Sequence, residues 1–151
     1  MPVSYGNVLD SSDHSLLLRE PDTSKAYVLD TNVLIDMSYG IPANLPDDVK
    51  FAVSTLSLLE LAAPRHMDLD RADGVLASIK VSELIPVTQE VARLAVELRQ
   101  IQNLDIIDAC IGATACYLDA ILLTNDQRLL RHPVVPALPF PIPEITKEDN
   151  K

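Results

Sequence analysis

The chain has 151 residues, one domain's worth, and a domain of that size buries enough surface to fold without a disulfide or a metal. With 12 Lys plus Arg against 22 Asp plus Glu the net charge is −10, which excludes attachment to nucleic acid or anionic membrane by bulk charge. Hydrophobic residues at 48% mark a globular chain, and 4% aromatics with no Trp argue against a base-stacking platform.

Residues 1–25 are rich in Ser, Asp and charge, are apolar only at Leu16–Leu18, and read as an irregular arm or short hairpin. Met1–Asp10 lacks the basic start and apolar stretch of a secretory signal. No apolar run reaches the ~20 residues of a spanning helix, so a cytoplasmic protein with no membrane partner is expected. Ala26–Leu29 is a short strand ending at Asp30, and Thr31–Met37 a short helix. Phe51–Ser54 is a second strand, followed by a helix through Leu61. Asp68–Ile79 and Gln89–Gln102 have helical spacing, the latter lining one face with Val91, Leu94, Ala95 and Leu98. Leu84–Val87 between them is a third strand. Asp105–Leu118 is an apolar helix whose small residues Ala109, Gly112, Ala113 and Ala115 suit close packing on a sheet. Ala120–Thr124 is a fourth strand, and Gln127–Arg131 starts one more helix. Pro133, Pro136, Pro139, Pro141 and Pro143 forbid a helix but leave room for an edge strand over Val134–Leu138, and 145–151 is a polar tail. The alternation over 26–144 predicts an α/β domain: a mostly parallel central sheet flanked by helices on both faces.

Four acids recur in one context. Asp30 and Asp126 follow strands, Glu60 lies in the helix after the second strand, and Asp108 lies in the first turn of the apolar helix. In an open parallel sheet the ligand crevice lies outside the carboxyl ends of the strands. Singly, each has a capping explanation: Asp30 for the helix from Thr31, Ser57 and Glu60 as a capping box, Asp105 ahead of Asp108, and Asn125-Asp126 as a turn and cap. Together they point elsewhere, because carboxylates gathered at one sheet edge repel, by about 4 kcal/mol per pair near 4 Å at an effective dielectric of 20. A hard divalent cation removes that cost, and such a cluster can activate water and clamp a phosphodiester.

The stretch Val28-Leu29-Asp30-Thr31-Asn32-Val33-Leu34-Ile35-Asp36 resembles the opening of PIN-domain nucleases. Ser54-Thr55-Leu56-Ser57-Leu58-Leu59-Glu60-Leu61, Asp108-Ala109-Cys110-Ile111-Gly112-Ala113-Thr114-Ala115 and Leu123-Thr124-Asn125-Asp126 resemble the second, third and fourth motifs of that family, in order, over about 26–135. The resemblance implies a PIN-like fold and a Mg²⁺- or Mn²⁺-dependent endoribonuclease. Asp30 and Asp108 would be principal metal ligands, Glu60 would complete the acidic set, and Asp126 would hold a second cation or the water network. Thr31, Asn32 and Thr124 would be hydrogen-bond partners of these ligands. By size the nearest branch is the VapC-type toxins, which implies an RNA substrate, a homodimer and a small inhibitory antitoxin. Two features depart from the pattern: about 25 residues precede Asp30, and Asp105 stands three residues before Asp108, either as a cap, the preferred reading, or as a further site acid.

Other signals are weaker. Asp68-Leu69-Asp70-Arg71-Ala72-Asp73-Gly74 glances at a Ca²⁺ loop but has Asp73 in the Gly slot and Ile79 in the closing Glu slot, so it reads as a solvated helix start. His14, His66 and His132 are scattered and read as surface or loop residues. Cys110 and Cys116, about 240° apart around a helix, read as reduced packing residues. Arg128 and Arg131 either face RNA phosphate or decorate an exposed helix. The competing functions are a non-catalytic PIN-like module that binds RNA or protein, and a phosphatase of the haloacid dehalogenase type. The phosphatase needs an Asp where Asn32 stands, two residues after Asp30.

Overall fold

A computed structural model describes residues 21–143. Its elements run β1 (Tyr27–Leu29), α1 (Thr31–Ser38), β2 (Phe51–Ser54), α2 (Thr55–Ala62), α3 (Leu69–Ile79), β3 (Val81–Ile85), α4 (Gln89–Ile101), α5 (Ile106–Tyr117), β4 (Ile121–Leu123), α6 (Gln127–Arg131) and β5 (Ala137–Leu138). The five strands pair in parallel in the order β3-β2-β1-β4-β5. This is the expected α/β architecture. A strand buried on both faces reads as an unbroken apolar run, and β1, Tyr27-Val28-Leu29, is fully buried at the centre of the sheet.

Strand side chains alternate between faces, which divides the core into two layers. Val28, Ala52 and Leu122 pack with Val91, Leu94, Leu98 and Ile111 of α4 and α5. Tyr27, Leu29, Val53 and Leu123 pack with Val33, Leu34, Ala72 and Leu76 of α1 and α3, and with Phe140 and Ile142. Helix α5 is buried from Ala109 through Ala115. Its close seating depends on Gly112, where a Cβ would come 3.0 Å from Val135 Cγ2 and 3.4 Å from Leu129 Cδ2.

Several expectations need correction. The third strand begins at Val81 rather than Leu84 and stops before Pro86. It is a solvent-facing edge paired with β2 by its backbone, so the polar Ser82 and Glu83 hide it from an apolar pattern. The last strand shrinks from Val134–Leu138 to Ala137–Leu138, because Pro133 and Pro136 have no N–H to donate. Ser57 caps nothing: α2 starts three residues earlier, with Ser54 Oγ accepting the Leu56 N–H at 3.2 Å. His132 is buried, not superficial: Nδ1 accepts the Val134 N–H at 3.1 Å, so Nε2 carries the proton to Leu98 O at 2.9 Å. The Asp68 stretch is a helix start as expected, with its carboxylate accepting the Arg71 N–H at 2.8 Å. Both cysteines are free thiols, Cys110 buried and Cys116 half-buried. Most of the arm expected over 1–25, with His14, and the tail over 145–151 lie outside the described residues.

Candidate active site

From β1 the sheet grows one way through β2 to β3 and the other way through β4 to β5. The strand order therefore reverses between β1 and β4, and a crevice opens beyond their carboxyl ends. Asp30 leaves β1 there and Thr124-Asn125-Asp126 leave β4, so two of the four motifs meet at the switch point.

Asp30 is the N-cap of α1 and is only 8% exposed. Its backbone N–H donates to Leu123 O at 3.1 Å, continuing the ladder into β4. Oδ1 accepts the Thr31 N–H at 2.8 Å, and Oδ2 accepts the Thr124 hydroxyl at 2.7 Å. Burial raises the Asp30 carboxyl above its ordinary range, the two hydrogen bonds oppose that, and the charge of Asp126 adds to it. Thr124 has one hydroxyl proton and is fully buried. Its oxygen accepts the Asp126 N–H at 3.0 Å, which leaves the proton aimed at Asp30. Asp126 in turn caps α6, accepting the Arg128 N–H at 2.8 Å.

The other acids come from helices. Glu60, five residues into α2 and exposed, accepts the Thr31 hydroxyl at 2.8 Å, tying α2 to the start of α1. Asp108 lies in the first turn of α5, half-buried, and has no side-chain hydrogen bond among the described residues. Its carboxyl is pushed up to about 6, first by burial and then by the charges of Asp126, Asp30, Asp105 and Glu60. Asp108 thus feels Asp105 and the other three acids at the strand ends and helix starts. Asp105 takes the N-cap position of α5 but makes no side-chain cap bond, so the cap reading holds by position and fails by chemistry.

The donor set is all carboxylate, with like charges acting on a half-buried member, which is the chemistry a hard divalent cation answers. Among the described residues no three His, Cys, Asp or Glu side chains form a group that could hold a metal ion as they stand. Asn32 is exposed on α1 and makes no side-chain hydrogen bond among the described residues. Arg128 and Arg131 are exposed on α6, beside Asp126, with guanidinium groups in no ion pair among the described residues.

Two polar groups escaped the sequence reading. Ser57 Oγ is buried in α2 without a hydrogen-bond partner among the described residues, and nothing in an S-x-x-E spacing distinguishes that from a cap. Asn125 Oδ1 accepts the Phe140 N–H at 3.0 Å, fifteen residues away. In the sequence it has a place in a turn and in the fourth motif, and neither points to Phe140.

A PIN domain family model matches residues 27–135. A search of curated proteins finds no match. Among solved structures the fold is similar to a toxin–antitoxin complex from Klebsiella pneumoniae, with TM-score 0.60 and 24% identity, covering 75% of this chain and 96% of that one. It is also similar to VapBC2 from Rickettsia felis bound to a promoter DNA fragment, with TM-score 0.60, 19% identity and coverage of 76% and 98%. For DNA-bound VapBC from Salmonella typhimurium the TM-score is 0.61 at 18% identity, with coverage of 76% and 98%.

Proposed function

The chain belongs to the PIN domain family, and on that premise we propose that it is a divalent-metal-dependent endoribonuclease, the toxin of a toxin–antitoxin pair. The observation that carries this is the meeting of Asp30 and Asp126 through the Thr124 hydroxyl where β1 and β4 end, with Asp108 half-buried and pushed up by burial and by the charges of Asp126, Asp30, Asp105 and Glu60. Folding gains nothing from that repulsion, and perturbed carboxyls clustered in a crevice mark functional sites. Asp30, Asp108, Glu60 and Asp126 would hold Mg²⁺ or Mn²⁺, which supplies Lewis acidity for water activation and charge neutralisation at the scissile phosphate.

The chain's own residues prepare that chemistry. Thr124 fixes one oxygen of Asp30, and Thr31 fixes Glu60 through its hydroxyl. Asp108 carries no such restraint and is free to turn toward a ligand. With a net charge of −10, RNA affinity comes from the cation and from Arg128 and Arg131 meeting phosphates, contacts that position a strand without reading its sequence. The solved neighbours include complexes of toxin with antitoxin, which supports a small antitoxin as partner. The expected homodimer and cytoplasmic location belong to the same reading; no helix among the described residues is long and apolar enough to cross a membrane. The competing reading, a non-catalytic PIN-like module that binds RNA or protein, draws on the lack, among the described residues, of three His, Cys, Asp or Glu side chains grouped to hold a metal ion.

Single-turnover cleavage of a structured RNA in Mn²⁺ decides between them. Wild type should cut, EDTA should stop it reversibly, and Asp30→Asn or Asp108→Asn should each lower the rate by orders of magnitude. Cleavage by wild type no faster than the uncatalysed background leaves the binding module as the better account, and equal cleavage by wild type and both variants in EDTA overturns the metal-dependent reading.

A further inference from the structure

The C-terminal segment beyond β5 crosses the α1 side of the sheet and is pinned at both ends of its path. On the β4 side the Leu122 N–H donates to Pro136 O at 2.7 Å and the Thr124 N–H to Leu138 O at 3.1 Å. The next rung is not backbone to backbone. The chain turns away into α6, and the side chain of Asn125 accepts the Phe140 N–H in its place. On the far side Asn44 Nδ2 donates to Ile142 O at 2.6 Å from the loop after α1. Between the anchors Phe140 and Ile142 are buried in the core. This strap is a fixed reference, and Asn125 ties the Thr124–Asp126 turn to it.

That turn sets the aim of two acids. A swing of the peptide between Asn125 and Asp126 would take the Asp126 N–H off Thr124 Oγ1. The threonine proton would then lose its enforced direction toward Asp30 Oδ2. We propose that Asn125 is a positioning residue: by holding the strap at Phe140 it fixes the Thr124 relay, and through it Asp30 and Asp126, for the cation and the scissile phosphate. The proposal rests on the nuclease reading above and goes beyond it, because neither Asn125 nor the strap belongs to the acidic set.

Mn²⁺ binding by titration calorimetry and single-turnover RNA cleavage, well below the melting temperature, test it on the full chain. Asn125→Ala should weaken Mn²⁺ binding and slow cleavage by roughly 10-fold or more each, the size typical of losing a partner that orients a metal ligand. KM for RNA should stay near wild type. Asn125→Asp keeps an acceptor oxygen for the Phe140 N–H and should return cleavage to within about threefold of wild type, against the tenfold loss expected in Asn125→Ala. Asn44→Gly breaks the other anchor at a position with φ +63°, where glycine adds no strain. It should lower the melting temperature while leaving Mn²⁺ affinity and rate near wild type. Wild-type affinity and rate in Asn125→Ala would overturn the proposal. So would equal losses in Asn44→Gly and Asn125→Ala, which would make the strap a stabilising element only. Failure of wild type to bind Mn²⁺, or cleavage by Asp108→Asn at the wild-type rate, would instead sink the nuclease reading.

Discussion

The two walls of the crevice hold the same kind of group in opposite ways. On the strand wall Asp30 is buried, yet both its oxygens accept hydrogen bonds, and Thr124 and Asp126 are chained to it. On the helix wall Asp108 is half-buried, makes no side-chain hydrogen bond among the described residues, and is raised by burial and by its neighbours' charges. One wall is organised before any ligand arrives; the other stores repulsion that only a ligand or a proton relieves. Loss of a partner should therefore destabilise the first wall, and loss of a charge should stabilise the second.

The largest expected effect is on the strand wall. Thr124→Val keeps the shape but removes both the donor to Asp30 and the acceptor for the Asp126 N–H. A buried carboxylate oxygen left unpaired costs about 2 kcal/mol, or roughly 6 °C in melting temperature for a chain of this length. A thermal melt in EDTA checks it, and an unchanged melting temperature would erase the contrast between the walls.

The opposite sign is expected at Asp108. Its native pKa lies above the unfolded value, so the charged form is the disfavoured one. Its cost is complete above pH 6 and is relieved as the pH falls from about 6 toward about 4. Metal-free wild type should then melt higher at pH 5 than at pH 7, to which the raised Asp30 carboxyl contributes in the same direction. Asp108→Asn should stabilise the protein at pH 7 by on the order of 1 kcal/mol after solvent screening, seen as a higher melting temperature, and should show less of the gain on acidification. A variant less stable than wild type at pH 7 in EDTA would mean that Asp108 serves the helix and not the crevice.

The smallest effect sharpens the comparison at helix starts. Asp68 makes a true cap bond, and Asp68→Ala should cost about 1 kcal/mol. Asp105 holds the same position on α5 without the bond, and Asp105→Ala should cost no more than about 0.3 kcal/mol. Equal losses by denaturant titration would restore the capping role.

The sequence made the acids legible because strand ends and helix starts carry strong local signals. Three apolar residues before Asp30, and Ile121-Leu122-Leu123-Thr124 before Asp126, mark strand ends without any tertiary information. The edge strands are Val81–Ile85 and Ala137–Leu138 rather than Leu84–Val87 and Val134–Leu138, because an edge pairs by backbone and carries a weak apolar pattern. Nothing local in the sequence announces the burial of His132, whose hydrogen-bond partner, the Leu98 carbonyl, lies thirty-four residues earlier.

By itself the sequence determined the alternation of strands and helices, the two-faced core and the identity of the acids, since each follows from side-chain chemistry read over a few residues. Only the tertiary structure decided how those acids are held. The strand order reverses between β1 and β4, which brings Thr124 onto Asp30 across 94 residues. Helix α2 starts at Thr55 rather than beyond Ser57, so Ser57 is buried with no partner among the described residues while Glu60 reaches Thr31. Asn125 finds its partner on a strap that Asn44 anchors from the other side. A hydrogen bond needs its two atoms at about 3 Å with the right orientation, and residues far apart in sequence meet that condition only once the sheet and its crossovers exist.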